Sequence, residues 1–182
     1  MNRIVRKLAA FWRDRSGVAA VEFAIVLPSL LLLYVGTVEI GQALTVARKL
    51  NNAAVVTADL MAQSESLSTD DMQDIFAAAK ATLAPYDTSG LKIQACVIAV
   101  TGTTQKVKWC SAQSDTVASK GAAPPAPVPA ALIENGVDMV VVRARYHLDT
   151  PFSSALSVIS HGYDFQRVYV QRPRIGDVVD KD

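Results

Sequence analysis

The chain has 182 residues, about half of them hydrophobic, and its 18 Lys and Arg against 17 Asp and Glu leave a formal net charge of +1. A balance this close to neutral, without a cationic face or stripe, argues against a nucleic-acid partner. Two Cys and two His fall short of the roughly four suitably spaced ligands of a structural zinc site, and neither a phosphate loop nor a nucleophile motif accompanies them, so no cofactor is implied.

The charge is unevenly placed. Arg3, Arg6, Lys7, Arg13 and Arg15 stand with only Asp14 in residues 1–17, a formal +4, whereas residues 18–182 carry 13 basic and 16 acidic side chains, a formal −3. After this basic leader, Val18 to Val38 is 21 residues with a single charge, Glu22. About 20 mainly apolar residues span a bilayer as a helix, because the helix satisfies its own backbone hydrogen bonds. The positive-inside rule then predicts a single-pass protein of the inner (cytoplasmic) membrane, with its N-terminus in the cytoplasm and its C-terminal part outside. Pro28 should bend the span mildly and free one carbonyl, which membrane helices tolerate. Glu22 needs a reason of its own. A carboxylate at the bilayer centre costs about 2.5 to 3.5 kcal/mol on insertion scales and less near an interface, so an intramembrane acid points to function.

Gly17, then Val18-Ala19-Ala20-Val21, then Glu22-Phe23 and a long apolar run resemble the cleavage site of type IV prepilin-like proteins. More narrowly, Val21-Glu22-Phe23-Ala24 with Leu27-Pro28 and Glu39-Ile40-Gly41 is similar to the TadE-like family, pseudopilins of the tight-adherence (Tad, or Flp) pilus of bacteria and archaea. The resemblance implies that a membrane prepilin peptidase cuts after Gly17 on the cytoplasmic side, leaving Val18 as the new N-terminus while the helix stays in the membrane. It also implies other pilin-like subunits and the Tad secretion machinery as partners. Phe23 stands where the Tad major pilin usually has Tyr, a change common in TadE-like relatives; TadE, TadF and another minor pilin all remain open. Elementary chemistry agrees with such a cut: it makes an ammonium at Val18, one helical turn before Glu22, and the two charges can neutralise each other within or between subunits.

Two readings from other classes are an extracytoplasmic enzyme and a ligand-binding protein, each held by an uncleaved signal anchor. A cleaved secretory signal fits less well. Its apolar region is about 7 to 15 residues long and ends in a small-residue site, whereas Glu39-Ile40-Gly41-Gln42 follows here.

Beyond the span, Ile40, Leu44, Ala47, Asn51, Ala54, Ala58 and Met61 repeat at spacings of four and three, with Gln42, Thr45, Arg48, Lys49, Asn52 and Asp59 on the other side. This predicts an amphipathic continuation to about Ala62, packed by that stripe on the chain's own domain, with a partner helix as the alternative that its many Ala residues also suit. Ser68 before Asp70 and Asp71 reads as a helix start, and Met72, Ile75, Phe76, Ala79 and Leu83 line one face of a helix ending before Pro85. Strand patterns follow at Leu91 to Val100 and Lys106 to Cys110, around a turn at Thr101-Gly102-Thr103-Thr104-Gln105. Setting Cys96 opposite Cys110 places Val97 opposite Trp109 and Ala99 opposite Val107, with Lys106 and Lys108 turned the other way. In an oxidising compartment the pair is most simply a disulfide; two buried free thiols are the alternative, since geometry decides bridging.

Gly121 to Ala131 holds four prolines and reads as an extended surface connector. Asp138 to Leu148 alternates Val140, Val142, Ala144, Tyr146 and Leu148 with Arg143, Arg145 and His147, a strand with one face to a core. His147 then reads as a solvated residue and His161 as a turn residue. Pro151 and Phe152 open a short helical stretch with Phe152, Leu156 and Ile159 on one face, before Gly162 and a last strand from Tyr163 to Gln171. From Pro173 no pattern is left and the tail is expected to fray.

The expected organisation is therefore a cytoplasmic leader at 1–17, a membrane helix with its amphipathic extension at 18–62, an extracytoplasmic domain at 63–172 and a flexible tail at 173–182. The fold class is α+β and pilin-like, with the outer half of the long helix and a second helix covering an antiparallel sheet of about four strands. A structural role in assembly is expected, not catalysis.

Overall fold

A computed structural model describes residues 17–150 and 162–182. Its elements are α1 (Val18–Ala62), β1 (Ser66–Leu67), α2 (Thr69–Leu83), β2 (Lys92–Thr101), β3 (Thr104–Gln113), a 3-10 turn (Ala130–Leu132), β4 (Met139–Leu148), β5 (Tyr163–Gln171) and β6 (Asp180–Lys181). The fold is α+β, as the residue patterns predict. The basic leader before Gly17 and the stretch with Phe152, Leu156, Ile159 and His161 lie outside the described residues.

The chain divides at Gly41/Gln42 into two units. In the first, α1 from Val18 to Tyr34 is apolar apart from Glu22 and Ser29 and has no buried residue: Phe23 is 59%, Ile25 71%, Leu33 69% and Tyr34 69% exposed. Such a surface costs free energy in water and none in hydrocarbon. An 18-residue window of α1 reaches a mean hydropathy of 2.3 with none of it buried, which makes α1 a candidate membrane span. Pro28 lies inside the helix without interrupting it. Thr37 Oγ1 donates to the Leu33 carbonyl at 2.8 Å, which satisfies the hydroxyl within the helix itself.

In the second unit, the outer half of α1 packs with α2 on one face of a sheet ordered β3-β2-β4-β5, antiparallel throughout. The period of the outer helix is as read from the sequence, and Ala54, Ala58 and Met61 of the predicted stripe face the core, but Ile40, Leu44 and Asn51 of the same stripe do not. Val46, Leu50, Ala53, Ala54, Ala58 and Met61 are fully buried, whereas Ile40 and Leu44 are 60% and 55% exposed. Alanine and valine occur on both sides of this stretch, so several helix faces are apolar enough to pack; the larger Leu50 and Val46 settle which one does. Lys49, at the flank of the buried face, donates to the carbonyls of Thr82 and Ala84 at 3.3 and 2.7 Å and caps the negative end of α2. At the other end of α2, Ser68 Oγ accepts from Asp71 N at 3.1 Å, and the Asp71 carboxylate accepts from Ser68 N at 2.8 Å. This capping box holds the Asp71 carboxyl below its ordinary range, chiefly through the Ser68 side chain.

The alternation of β4 is as predicted. Val140, Val142, Ala144, Tyr146 and Leu148 join Ile93, Ala95 and Val97 under the helices. On the reverse face, Cys96, Ile98, Val107, Met139 and Val141 form a second small core. Its lid is the proline-rich stretch, which is no mere spacer: Ala122, Ala126 and the buried Val128 pack onto it. Further along that face Arg143 Nη2 donates to Gln94 Oε1 at 2.6 Å and Arg145 to Asp115 at 2.5 Å.

The hairpin register holds only to Trp109. Cys96 pairs with Cys110 and Val97 with Trp109, but Ile98 then pairs with Val107 and Ala99 with Lys106, because Lys108 is an extra residue in the ladder. A bulge of this kind flips every later side chain to the other face, and Val107 therefore joins the cysteine side. The turn is also tighter than expected. Thr101 pairs with Thr104 across Gly102-Thr103, and Gly102 takes the positive φ of +61° that the first position of such a two-residue loop requires.

The tail from Pro173 makes contacts that nothing in its composition announces. Asp180–Lys181 pairs in parallel with Ser66–Leu67 as β6 and β1, and Arg174 N donates to the Ala62 carbonyl at 2.7 Å, capping the end of α1. Val179 is fully buried; its N–H donates to Asp138 Oδ2 at 3.1 Å and its carbonyl accepts from Trp109 Nε1 at 3.0 Å. Lys108, the bulged residue, closes the clasp with Nζ at 2.9 Å from Asp138 and 2.6 Å from Asp180. Burial works against the Lys108 charge, yet the bonds from Asp180 and Asp138 outweigh it and raise its pKa.

Candidate functional site

The residues singled out by sequence lie at the start of α1. Gly17 is in a turn whose carbonyl accepts from Val21 N at 3.1 Å, the first bond of the helix, and Val18 is the first helical residue, 51% exposed. A Cβ built on Gly17 would meet nothing within 4 Å, and its φ is not in the left-handed region. Folding of the described chain therefore does not require glycine there. Glu22 and Phe23 follow on the exposed helix, and Glu22 makes no hydrogen bond or ion pair with another described residue. A carboxylate i+4 from Val18 sits on the same helix face, about 5 to 6 Å away between Cβ atoms. Four residues of a helix start leave four backbone N–H groups without helical partners and a positive dipole end, so an amine created at Val18 would sit where positive charge is least favoured. Glu22 is the nearest acid able to offset it.

Cys96 and Cys110 form a disulfide across the β2·β3 hairpin, with Cα atoms 4.1 Å apart, and no described cysteine is free. Both are buried, so the bridge contributes to the reverse core as well as tying two strands.

His147 is more than a solvated strand residue. Its Nδ1 is 2.7 Å from Asp164 on β5 and its Nε2 3.3 Å from Asp149, so both ring nitrogens meet carboxylates. Neither nitrogen is left to activate a hydroxyl or thiol, which speaks against a nucleophile–histidine pair at this position. The hydrogen bond to Asp164 raises the His147 pKa, a little burial opposes it, and the charges of Asp164 and Asp149 add to the rise. A raised folded pKa stabilises the protonated form, so this contribution is complete below about pH 6.5 and is lost as pH rises through the higher folded value. Melting temperatures of wild type and His147→Gln should therefore converge between about pH 5.5 and 8.5, and a constant gap would rule out this role. Alternation alone places His147 on a polar face; its two acidic partners come from a neighbouring strand and from the chain just beyond β4.

Among the described residues no group of three or more His, Cys, Asp and Glu is placed to hold a metal ion. The Lys108, Asp138, Asp180 and Trp109 cluster is not legible in the sequence, since its members come from three separate stretches of the chain and no spacing joins them.

The family model described as TadE-like protein matches residues 17–59, which is α1 from its first turn almost to its end. No curated protein and no solved structure matches the chain.

Proposed function

We propose that this protein, whose residues 17–59 match the TadE-like model, is a pseudopilin or minor pilin that acts in assembly of a Tad pilus at the inner membrane. The observation that carries the reading is the coincidence of that match with an apolar helix that has no buried residue from Val18 to Val38 and bears Glu22, an acid without a partner among the described residues, near its start. Residues 1–17 act as a cytoplasmic leader, and a prepilin peptidase removes them after Gly17. The Val18 ammonium so formed pairs with Glu22 of its own or a neighbouring chain, and α1 packs among other pilin-like subunits. The domain beyond the membrane lies outside the cytoplasm, a compartment in which the Cys96–Cys110 bridge is stable. The role is structural, in keeping with the TadE-like match and with the engaged ring of His147.

Mass spectrometry of the N-terminus of the membrane protein tests the reading, in cells with and without a prepilin peptidase. The expected result is a chain that begins at Val18 with the peptidase and at the original N-terminus without it. Full-length chain in both, or a C-terminal reporter active in the cytoplasm, would overturn it.

A further inference from the structure

The four-stranded sheet has two edges, β3 and β5, and the chain treats them differently. The β3 edge is closed. It carries the bulge at Lys108 with Lys106 beside it, Gly121 N donates to the Val107 carbonyl at 2.8 Å, and Val107 N donates to the Ala122 carbonyl at 2.9 Å. A bulge, lysines and a covering loop are the devices that keep an edge from pairing with another chain. Among the described residues β5 has none of the three. Its register with β4 runs unbroken from Tyr163 to Gln171, it contains no Pro, Gly or Lys, and no main-chain bond from another described loop or turn reaches it. Tyr163, Phe165, Val168, Tyr169 and Val170 are strong strand formers, and the outer N–H and C=O groups of such a strand need partners.

We infer that β5 pairs edge to edge with β5 of a second copy of this chain, antiparallel about a two-fold axis at Val168. Residues directly opposite in such a pair share a face of the sheet, so the axis must pass through a residue. Through Arg167 it would set guanidinium against guanidinium, and like charges directly opposite destabilise a pair. Through Gln166 it would leave Asp164 facing Val168. Through Phe165 or Tyr169 the overlap of the two strands shortens. Only at Val168 do shape and charge agree. Val168, 37% exposed, meets its own copy and is covered. Gln166 meets Val170, Arg167 lies beside Tyr169, where a cation meets an aromatic ring, and at each end Asp164, already bonded to His147, comes level with Arg172, already bonded to Glu134 and the Leu132 carbonyl, so no like charges are set opposite.

The test uses the full chain in its membrane or in detergent. Val168→Cys should give a disulfide-linked dimer under mild oxidation, since the native cysteines are already joined to each other, and Arg167→Cys should give none. Val168→Asp and Val168→Lys should each lose the dimer in sedimentation, and mixing the two should restore it as a heterodimer, which a misfolded chain could not do. Equal crosslinking at positions 167 and 168, or failure of the mixed chains to associate, overturns the pairing. The pairing is independent of cleavage: Gly17→Leu should dimerise through β5 as wild type does, so either result leaves the processing reading to its own test.

Discussion

Gly17→Leu is expected to accumulate at full length with residues 1–17 still attached, and to abolish piliation, while the domain after the apolar helix folds normally. The separation is sharp because of what surrounds Gly17. A Cβ there meets nothing within 4 Å in the folded chain, so leucine disturbs no contact of the described protein. Any loss must come from a partner that approaches the backbone closely, as a peptidase groove does at a scissile bond. Glu22→Ala separates the second half of the same proposal. It should be trimmed after Gly17 and remain in the membrane, yet fail to support pilus assembly, because the Val18 ammonium has lost its nearest counter-charge at the positive end of the helix dipole. Glu22→Asp keeps the charge and loses one methylene of reach, so intermediate piliation is expected. Normal trimming of Gly17→Leu, or full piliation with Glu22→Ala, would leave a plain signal anchor as the better description. The measurements are intact mass of the membrane-bound chain and a count of pili.

Removing residues 173–182 is expected to be the most damaging change to the domain, despite lying at the chain terminus. Truncation after Arg172 exposes the site of Val179, whose burial contributes about 1.5 to 3 kcal/mol. It also strips Asp138 of the Val179 N–H and Lys108 of Asp180, leaving a buried carboxylate with one partner fewer. Asp138 keeps Lys108 and Asp180 is 64% exposed, so the lost N–H bond to the buried carboxylate adds about 1.5 to 3 kcal/mol and the lost surface pair less than about 1 kcal/mol. At about 2 to 4 °C per kcal/mol for a domain of this size, a fall in Tm of roughly 10 °C or more is expected. Val179→Ala retains β6 and removes two methyl-sized groups, so a loss of about 1.5 kcal/mol should suffice there. An unfolding transition unchanged by the truncation would mean that the tail frays in solution and that the clasp contributes nothing. Trp109 offers an internal readout, because its indole N–H bonds to the Val179 carbonyl and its fluorescence should change with the tail removed.

Local patterns determined the elements of this protein. The apolar run from Val18 together with the following 3.6-residue period specified α1 to its last residue, since a helix writes its buried side into spacing. Ser68 and Asp71 specified the start of α2, because both partners of a capping box lie within one turn. Strict alternation specified which side chains of β4 face the core, and the bracketing cysteines specified the pairing of β2 with β3 as far as Trp109. The candidate site is written locally as well, Gly17-Val18 followed by Glu22-Phe23 within the residues 17–59 that the TadE-like model matches, and the roles given to these residues are the proposal that the variants above test.

What only the tertiary structure decided are the matters that depend on residues far apart. The rotation of outer α1 was ambiguous because Ala and Val surround it, and it was fixed by which face fills the space above Ile93, Ala95 and Val142. Lys108 became a bulge because its ammonium is held by Asp138 and Asp180, neither of them near it in sequence. The strand order β3-β2-β4-β5, with the β3 edge covered by the loop at Gly121 and Ala122, follows from pairings across loops of many residues. β1 and β6 have two residues each, too few to show any period, and they pair only because α1 ends and the tail passes at the same place, where Arg174 caps the Ala62 carbonyl and Val179 completes the core. A spacing rule reads interactions within a turn or a strand; the clasp is built from contacts between chain segments, and its free energy exists only once the sheet has brought Asp138, Trp109 and Val179 together.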